Sequence, residues 1–241
     1  MNAPLLRITP ELSTRVAEKT VALHERLHAI CQRYASVAFA NSLGAEDMVL
    51  TDCLQKLGLP VDIFSLDTGR LPAETYDLMA TVDRHYGLKL KVYFPHPEDV
   101  EAYVRAQGIN AFYDSVAQRK ACCQVRKVLP LQRALAGKEA WITGLRAEQS
   151  ATRTDLPFQE FDTGNNLEKF NPLADWTEKE VWTYLLENKV PTNALHGKFY
   201  PSIGCAPCTR AISPGEDIRA GRWWWENPDS KECGLHPGKP S

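Results

Sequence analysis

The sequence lacks several features that mark membrane, secreted and nucleic-acid-binding proteins. No uninterrupted apolar stretch is long enough to span a bilayer, and the N-terminal MNAPLLRITP has neither the basic start nor the long apolar core of a secretion signal. A formal net charge of −2 gives no general attraction to nucleic acid or to an anionic membrane. We therefore expect a cytoplasmic protein with no nucleic-acid partner and no membrane partner.

An even set of cysteines is also missing. Seven cysteines are an odd number, which argues against a closed framework of disulfides. In a reducing compartment such thiols are usually buried, bound to metal or reactive. Cys31 and Cys53 lie on apolar helical faces and are predicted to be core residues. Five cysteines need another explanation: Cys122, Cys123, Cys205, Cys208 and Cys233.

Helix-like and strand-like segments alternate over the first 144 residues. The hydrophobic period predicts helices at 11–34, 46–57 and 72–86, and strands at 36–42, 61–66, 88–94 and 139–144. This order predicts an α/β fold with a parallel twisted sheet flanked by helices. After a polar loop, a helix is expected at 175–188, opened by a cap at Asp175 and Glu178. We expect one nucleotide-binding domain over 1–225 and a mobile tail over 226–241.

Three loops follow predicted strands, at the edge where open parallel sheets bind ligands. They read NSLGAED (41–47), SLDTGRLP (65–72) and GLRAEQSATR (144–153). Backbone N–H groups of the first loop and the dipole of the next helix are suited to an anion, although a plain strand-to-helix turn has the same sequence. The G-K-[ST] ending of a Walker loop is absent. Together the loops suggest a nucleotide that carries phosphate-like charge.

The cysteine spacing admits two kinds of metal site. Cys205-x-x-Cys208 followed by Cys233-x-x-His236 has the outline of a zinc ribbon, which would make the chain a binding module. That interpretation leaves two adjacent cysteines unexplained. Neighbouring cysteines rarely suit one small tetrahedral ion, whereas a cube of four irons spreads its ligand positions. The set therefore favours a [4Fe–4S] cluster: Cys122, Cys123, Cys205 and Cys208.

Cys233 has no neighbouring thiol and is expected to act alone. Lys231 and His236 are close in sequence, and cationic neighbours favour the reactive thiolate, although an accidental exposed thiol would look similar. A single thiol can attack a substrate but cannot complete a disulfide within the tail. An outside thiol must then resolve the intermediate, with thioredoxin or a glutaredoxin-like donor as candidates.

The motifs CCQVRKVLPL, GCAPCTR and KECGLH, together with SLGAED, LDTGR and GLRAEQS, resemble the phosphoadenylyl-sulfate reductase family, in particular its assimilatory adenylyl-sulfate reductases. The resemblance implies a fold like that of the adenine-nucleotide alpha hydrolases, a [4Fe–4S] cluster on the four paired cysteines and a nucleophilic Cys233. It also implies that adenosine 5′-phosphosulfate (APS) is reduced to sulfite and AMP through an S-sulfocysteine that thioredoxin releases.

We expect substrate-binding residues in these motifs and, outside them, at Arg219 and Arg222. We expect the nucleotide on Ser42, Gly44, Thr68, Gly69 and Arg70, and its sulfate and phosphate near Lys127, Arg146, Arg219 and Arg222, with His236 assisting. Relatives that use the 3′-phosphorylated substrate (PAPS) typically lack the cluster cysteines, so APS is preferred, with PAPS or dual use as the alternative. The loop over 42–47 departs from the pyrophosphatase pattern S-G-G-x-D-[ST], which argues against an ATP-dependent tRNA-thiolating enzyme. The sequence does not decide between a monomer and a homo-oligomer.

Overall fold

The computed structural model describes residues 6–149 and 156–227, and its centre is one six-stranded sheet. The strands are β1 (Val37–Ala40), β2 (Val61–Leu66), β3 (Lys91–Tyr93), β4 (Ala140–Ile142), β5 (Gln159–Asp162) and β6 (Leu167–Phe170). Their spatial order is β3-β2-β1-β4-β6-β5. Every neighbouring pair is parallel except β5 and β6. The predicted α/β fold with a mainly parallel sheet is confirmed.

The two strands after β4 were not predicted. β5 and β6 are joined by the short segment Thr163 to Asn166, which is too short for the crossover that a parallel pair needs. The carboxylate of Asp162 accepts hydrogen bonds from the N–H groups of Gly164 and Asn165 and closes the turn. β5 therefore runs antiparallel to β6, at one edge of the sheet.

Seven α-helices surround the sheet in the described ranges. They are α1 (Pro10–Arg33), α2 (Ala45–Leu57), α3 (Ala73–Tyr86), α4 (Pro97–Gln107), α5 (Val116–Cys123), α6 (Leu129–Leu135) and α7 (Glu178–Glu187). The first three agree with the predicted helices to within a residue. Gly58 and Gly87 end α2 and α3 in the left-handed conformation that glycine adopts readily. α4 buries only Tyr103 and was not predicted from the sequence.

The N-terminal cap of α7 differs from the prediction. The hydroxyl of Thr177 accepts a hydrogen bond from the N–H of Glu180, and the Glu180 carboxylate accepts one from the N–H of Thr177. This capping box has the predicted spacing but begins two residues later than Asp175. Asp175 instead forms an ion pair with Arg26 of α1, at 2.9 Å. The predicted cap at Asp175 and Glu178 is therefore wrong.

Two hydrophobic clusters cover the two faces of the sheet. The larger cluster joins α1, α2 and α7 to the strands, and the smaller one joins α6 to the opposite face. Cys53 is fully buried in the larger cluster, as predicted, with its sulfur 3.2 Å from the hydroxyl of Tyr184. Cys31 is only half buried, so its prediction as a core residue was too strong.

The strand order places the functional loops together. The chain moves outward from β1 through β2 to β3 and then returns to β4 on the other side of β1. The loops after β1 and β4 therefore diverge at the carboxyl edge, which is where open α/β sheets bind ligands. None of the helices within 6–149 and 156–227 combines the length and apolarity needed to cross a bilayer. At the predicted start of the tail, Glu226 pairs with Arg119 at 2.6 Å.

Candidate active site

A cavity of about 290 Å³ opens at the carboxyl edge of the sheet. The loops after β1, β2 and β4 form one wall, and residues 201–204 and 218–223 form the opposite wall. Seven of the predicted substrate residues line it: Ser42, Gly44, Thr68, Lys127, Arg146, Arg219 and Arg222. Gly69 and Arg70 do not line it, because the Arg70 guanidinium contacts Asn110 at 3.1 Å and lies over the Phe112 ring. His236 and Cys233 lie outside the described residues.

The loop after β1 is held by its own side chains. The Ser42 N–H and hydroxyl donate to the Asp47 carboxylate at 2.6 and 2.5 Å, and the Gly44 N–H donates to the Ser42 hydroxyl at 3.3 Å. Burial raises the pKa of Asp47 to about 7. Leu43 is buried with a φ of 63°, a conformation that costs a bulky residue free energy. The Ser42 hydroxyl is therefore part of the loop's internal network.

Arg146 is paired with the site's own carboxylates. Its guanidinium donates to Glu46 at 2.8 Å and to Glu148 at 3.0 Å, and its side chain is only 3% exposed. Glu148 also accepts a hydrogen bond from the Glu178 N–H at 2.6 Å, at the first turn of α7. This predicted anion-binding residue thus joins the loops after β1 and β4 to α7.

Arg222 on the opposite wall has a different environment. It is 8% exposed, and its Nε atom has no hydrogen-bond partner in the described part of the chain. Its charged group lies over the Trp223 ring, 4.8 Å from the ring centre. A buried cation without a carboxylate is costly unless another anion binds it. Lys127 and Arg219 line the same cavity, which is therefore suited to an anionic ligand.

The four paired cysteines meet in a second, smaller pocket. That pocket is lined by Cys122, Cys123, Cys205 and Cys208, with Phe112, Arg119, Arg126, Lys127 and Trp223. Lys127, Cys205 and Trp223 line both pockets, so the two adjoin. Thr68 also bridges them, because its hydroxyl lies 3.2 Å from the Cys205 sulfur. The sequence places these cysteines 83 positions apart, and the fold brings them together.

The donor set of the smaller pocket fits a four-iron cluster. No three histidine, cysteine, aspartate or glutamate side chains within 6–149 and 156–227 are grouped to hold a single metal ion. A four-iron cluster instead takes one thiolate at each of four separate irons. Burial raises the pKa of Cys122 and Cys208, the latter to about 11, so these thiols need a cationic partner to ionise. The neighbouring Arg126 and Lys127 lower the free-energy cost of thiolate formation and offset the negative charge of such a cluster.

The helix that carries two of these cysteines changes its winding directly after them. Residues Gln124–Val128 form a π-helical turn, in which the N–H of Leu129 donates to the carbonyl of Gln124. The turn places Arg126 in the cysteine pocket, where it donates to the Thr68 carbonyl at 2.6 Å. The helical winding around the adjacent cysteines is therefore not uniform.

Comparison with known proteins agrees with this geometry. Residues 36–211 match the phosphoadenosine phosphosulfate reductase domain family. A protein of Allochromatium vinosum named adenosine 5′-phosphosulfate reductase is 57% identical over 98% of this chain and 94% of that protein. The chain belongs to the phosphoadenosine phosphosulfate reductase family. As a member of this reductase family, it is an oxidoreductase that acts on a sulfur group, as the sequence predicted.

Solved structures agree with the assignment to the reductase family. Phosphoadenylyl-sulfate reductase from Candida auris, in a phosphate complex, has a TM-score of 0.68 at 26% identity, over 86% of this chain and 99% of that one. Yeast FAD synthetase in complex with FAD shares the fold with a TM-score of 0.60 at 16% identity, over 87% of this chain and 71% of that one. The fold class expected from the resemblance is confirmed.

Two residues that line the cavity were missed by the sequence analysis. His196 is buried, its Nδ1 atom lies 2.9 Å from the Tyr200 carbonyl, and its Nε2 atom has no partner in the described structure. Burial lowers the pKa of His196. Gly204 lies beside Arg222 and directly precedes Cys205. No local sequence pattern distinguishes His196. Gly204 belongs to the motif GCAPCTR, of which only the cysteines were assigned a role.

Proposed function

We propose that this chain reduces APS to sulfite and AMP, with electrons from thioredoxin or a related thiol donor. The observation that carries the proposal is the buried Arg222 guanidinium, which lines a nucleotide-sized cavity and has an Nε atom without a partner among the described residues. An anionic group on the ligand would satisfy it. The relative with 57% identity bears the name of an APS reductase, which favours the same substrate here.

The choice of APS over PAPS rests on the cysteines and on that relative. All four cysteines expected of the cluster-bearing enzymes are present and line one pocket. The Candida auris protein, which is named for PAPS, is much less similar, at 26% identity. We therefore propose APS as the preferred substrate. Competing APS and PAPS in one assay, and following sulfite from each, would measure the preference directly.

The two walls of the cavity are proposed to bind different ends of the substrate. The adenosine end is assigned to the strand loops, with Ser42, Gly44 and Thr68, which line the cavity, as the proposed contacts. The phosphosulfate end is assigned to the cationic side, where Lys127, Arg219 and Arg222 act with His236 from the tail, while Arg146 stays bound to Glu46 and Glu148. Cationic groups there would stabilise charge that develops on the leaving phosphate.

The proposed reaction has two steps, both at Cys233. The Cys233 thiolate attacks the sulfur of APS, an S–S bond forms, and the S–O bond to the AMP phosphate breaks with its electron pair on AMP. The enzyme then carries an S-sulfocysteine. A thiolate of the donor attacks the Cys233 sulfur and releases sulfite, and the donor's second thiol resolves the mixed disulfide, so the donor is oxidised by two electrons.

Cys122, Cys123, Cys205 and Cys208 are proposed to hold one [4Fe–4S] cluster. When bound, the cluster supplies electrostatic and structural stabilisation near the anionic end of the substrate rather than electrons. Lys127 lines both pockets and is the side chain best placed to act on both. A change in the cluster's oxidation state during turnover, seen by electron paramagnetic resonance, would contradict this assignment.

Mass spectrometry tests the proposed intermediate. Wild-type protein incubated with APS and no reductant is expected to carry a sulfonate on the Cys233 peptide, and thioredoxin is expected to remove it with release of sulfite. Cys233→Ser should carry no sulfonate and release no sulfite, while Cys31→Ser, at a half-buried thiol away from both pockets, should behave as wild type. An unmodified wild-type tail after substrate addition would refute the proposal.

Metal analysis of anaerobically purified protein separates the remaining alternatives. The proposal predicts about four irons with equivalent sulfide for each chain. One zinc and no iron would favour the zinc-ribbon module. Iron together with ATP hydrolysis, and no sulfite from APS, would favour the tRNA-thiolating enzyme.

A further inference from the structure

Gly204 lies unusually close to the charged group of Arg222. A Cβ atom added to Gly204 would lie 2.5 Å from both the Cζ and Nη2 atoms of Arg222 and 2.6 Å from its Nη1 atom. These nearly equal distances place the added carbon over the flat face of the guanidinium rather than at its edge. Only a glycine leaves this face room to pack against the backbone.

The backbone of Gly204 is fixed by the cysteine loop. Its N–H donates to the Thr209 hydroxyl at 3.1 Å, and the same hydroxyl donates to the Cys205 carbonyl at 3.0 Å. The Ala206 N–H donates to the Arg70 carbonyl at 2.8 Å, which ties the loop to the edge of the sheet. A side chain at 204 would therefore displace the Arg222 guanidinium, which is the flexible partner, rather than the loop.

The other neighbour of Arg222 is fixed in the same way. The guanidinium lies over the Trp223 ring, and the Trp223 N–H donates to the Cys208 carbonyl at 3.2 Å. Trp223 is 1% exposed and has a φ of 41°, so its ring is held by packing and by a backbone conformation that bulky residues rarely adopt. Both contacts that orient Arg222 thus come from segments tied to the C-x-x-C loop.

We propose that Gly204 is a positioning residue, which aims the Arg222 guanidinium at the anionic end of the substrate by leaving its flat face free to pack on the backbone. This inference rests on the proposed function in one respect, namely that Arg222 binds an anion of the nucleotide. It goes further in assigning the orientation of that cation to the residue before the first cysteine of the C-x-x-C pair. Substrate affinity is then coupled to the shape of the loop that carries Cys205 and Cys208.

The test measures the affinity of the iron-containing protein for AMP by isothermal titration calorimetry. Gly204→Ala is expected to weaken AMP binding by about 10- to 100-fold, the usual effect of losing a hydrogen bond to a charged group. Adenosine has no phosphate, so its affinity should not change. Gly197→Ala is the matched control, because Gly197 has no atom within 4 Å of an added Cβ and no positive φ. Iron content and the unfolding midpoint of each variant show whether the fold and cluster are intact.

A double-mutant cycle separates an effect through Arg222 from a general loss of structure. Gly204→Ala should have no further effect on AMP affinity in an Arg222→Ala background, where the guanidinium that the added carbon would displace is absent. Equal losses of AMP and adenosine affinity, additive losses in the cycle, or an unchanged AMP affinity in Gly204→Ala would each overturn the inference.

The same data distinguish this inference from the proposed function. An Arg222→Ala variant with wild-type AMP affinity would overturn the inference at its first step. A wild-type protein that binds AMP through Arg222, and releases no sulfite from APS, would count against the proposed reaction while the role of Gly204 stands.

Discussion

The two walls of the cavity hold their arginines in opposite ways. On the sheet wall, formed by the loops after β1, β2 and β4, Arg146 is bound by two carboxylates, Glu46 and Glu148. On the irregular wall, formed by residues 201–204 and 218–223, Arg222 is also buried but has an unpartnered Nε atom among the described residues. In a buried ion pair the two charges compensate each other, whereas a buried cation with unused hydrogen-bond donors needs a ligand to compensate its charge. An arginine that stabilises the fold and an arginine that binds a ligand can both be buried. The partners of the guanidinium distinguish the two.

The walls also differ in how their backbones are held. The shape of the sheet wall is set by strands and helices that pack around the hydrophobic core. The irregular wall has no long element, and short contacts hold it instead, among them an isolated pairing of Thr209 with Arg222 and the bond from the Trp223 N–H to the Cys208 carbonyl. The positions of the cations on this wall thus depend on the cysteine loop, and loss of the proposed cluster should disturb this wall before the sheet wall.

The largest predicted effect is at the unpaired arginine. Arg222→Gln should lower kcat/KM for APS by about 100- to 1,000-fold, the usual effect of removing a donor that faces developing charge. Its free energy of unfolding should stay near the wild-type value or rise, because a desolvated charge is removed. Steady-state sulfite release and urea unfolding measure the two quantities. A large loss of stability with normal kcat/KM would reverse the proposed difference between the walls.

Much of the fold follows from the sequence because its first half is periodic. The helices over 10–33, 45–57 and 73–86 and the strands between them have clear apolar periods, and each lies within a few residues of its predicted bounds. α4 and β5 were not predicted, and both bury little apolar surface. The cap of α7 was predicted two residues too early, because Asp175 and Thr177 have the same spacing to an acidic residue. Short or half-exposed elements leave weak patterns.

The site was predictable where chemistry requires rare residues, and unpredictable where it depends on geometry. The four cysteines were grouped from their sequence, and the fold places them around one pocket. Arg146 and Arg222 could not be told apart before the fold was known, since the pairing of Arg146 with Glu46 depends on two loops that meet across the sheet. His196 and Gly204 were missed for the same reason, because a single histidine or glycine has no pattern of its own.

The second prediction concerns the paired arginine. Arg146→Gln leaves the Glu46 carboxylate without its cation, and should lower the free energy of unfolding by about 2–4 kcal/mol. Any loss of AMP affinity should be matched by an equal loss of adenosine affinity, because the pair shapes the wall rather than binding the phosphate. Urea unfolding and calorimetry measure both. Glu148→Gln is the control, because that carboxylate is 54% exposed and its loss should cost little.

The third prediction compares two glycines across the cavity. An added Cβ at Gly144 would overlap the Oδ1 atom of Asp47 and lie 3.1 Å from the Glu46 Cβ atom. Gly144→Ala should therefore push Asp47 away from Ser42 and lower the free energy of unfolding by about 1–3 kcal/mol. Gly204→Ala should cost less stability than this, because a flexible guanidinium yields instead of a buried carboxylate. Equal stability losses in the two variants would remove this distinction between the walls.

The smallest predicted effect is a pH dependence at His196, which lines the cavity. Burial lowers the pKa of His196, although the nearby Glu46 and Glu178 oppose the shift. Below the ordinary histidine pKa of about 6.5, the unfolded chain therefore binds a proton that the folded chain does not, and acid favours unfolding. His196→Asn keeps a donor near the Tyr200 carbonyl but does not titrate, so its stability should fall less than that of wild type between pH 7 and pH 5. Urea unfolding at several pH values measures the difference. If the free energies of unfolding of the two proteins depend on pH in the same way, His196 keeps its ordinary pKa and is exposed to solvent rather than buried.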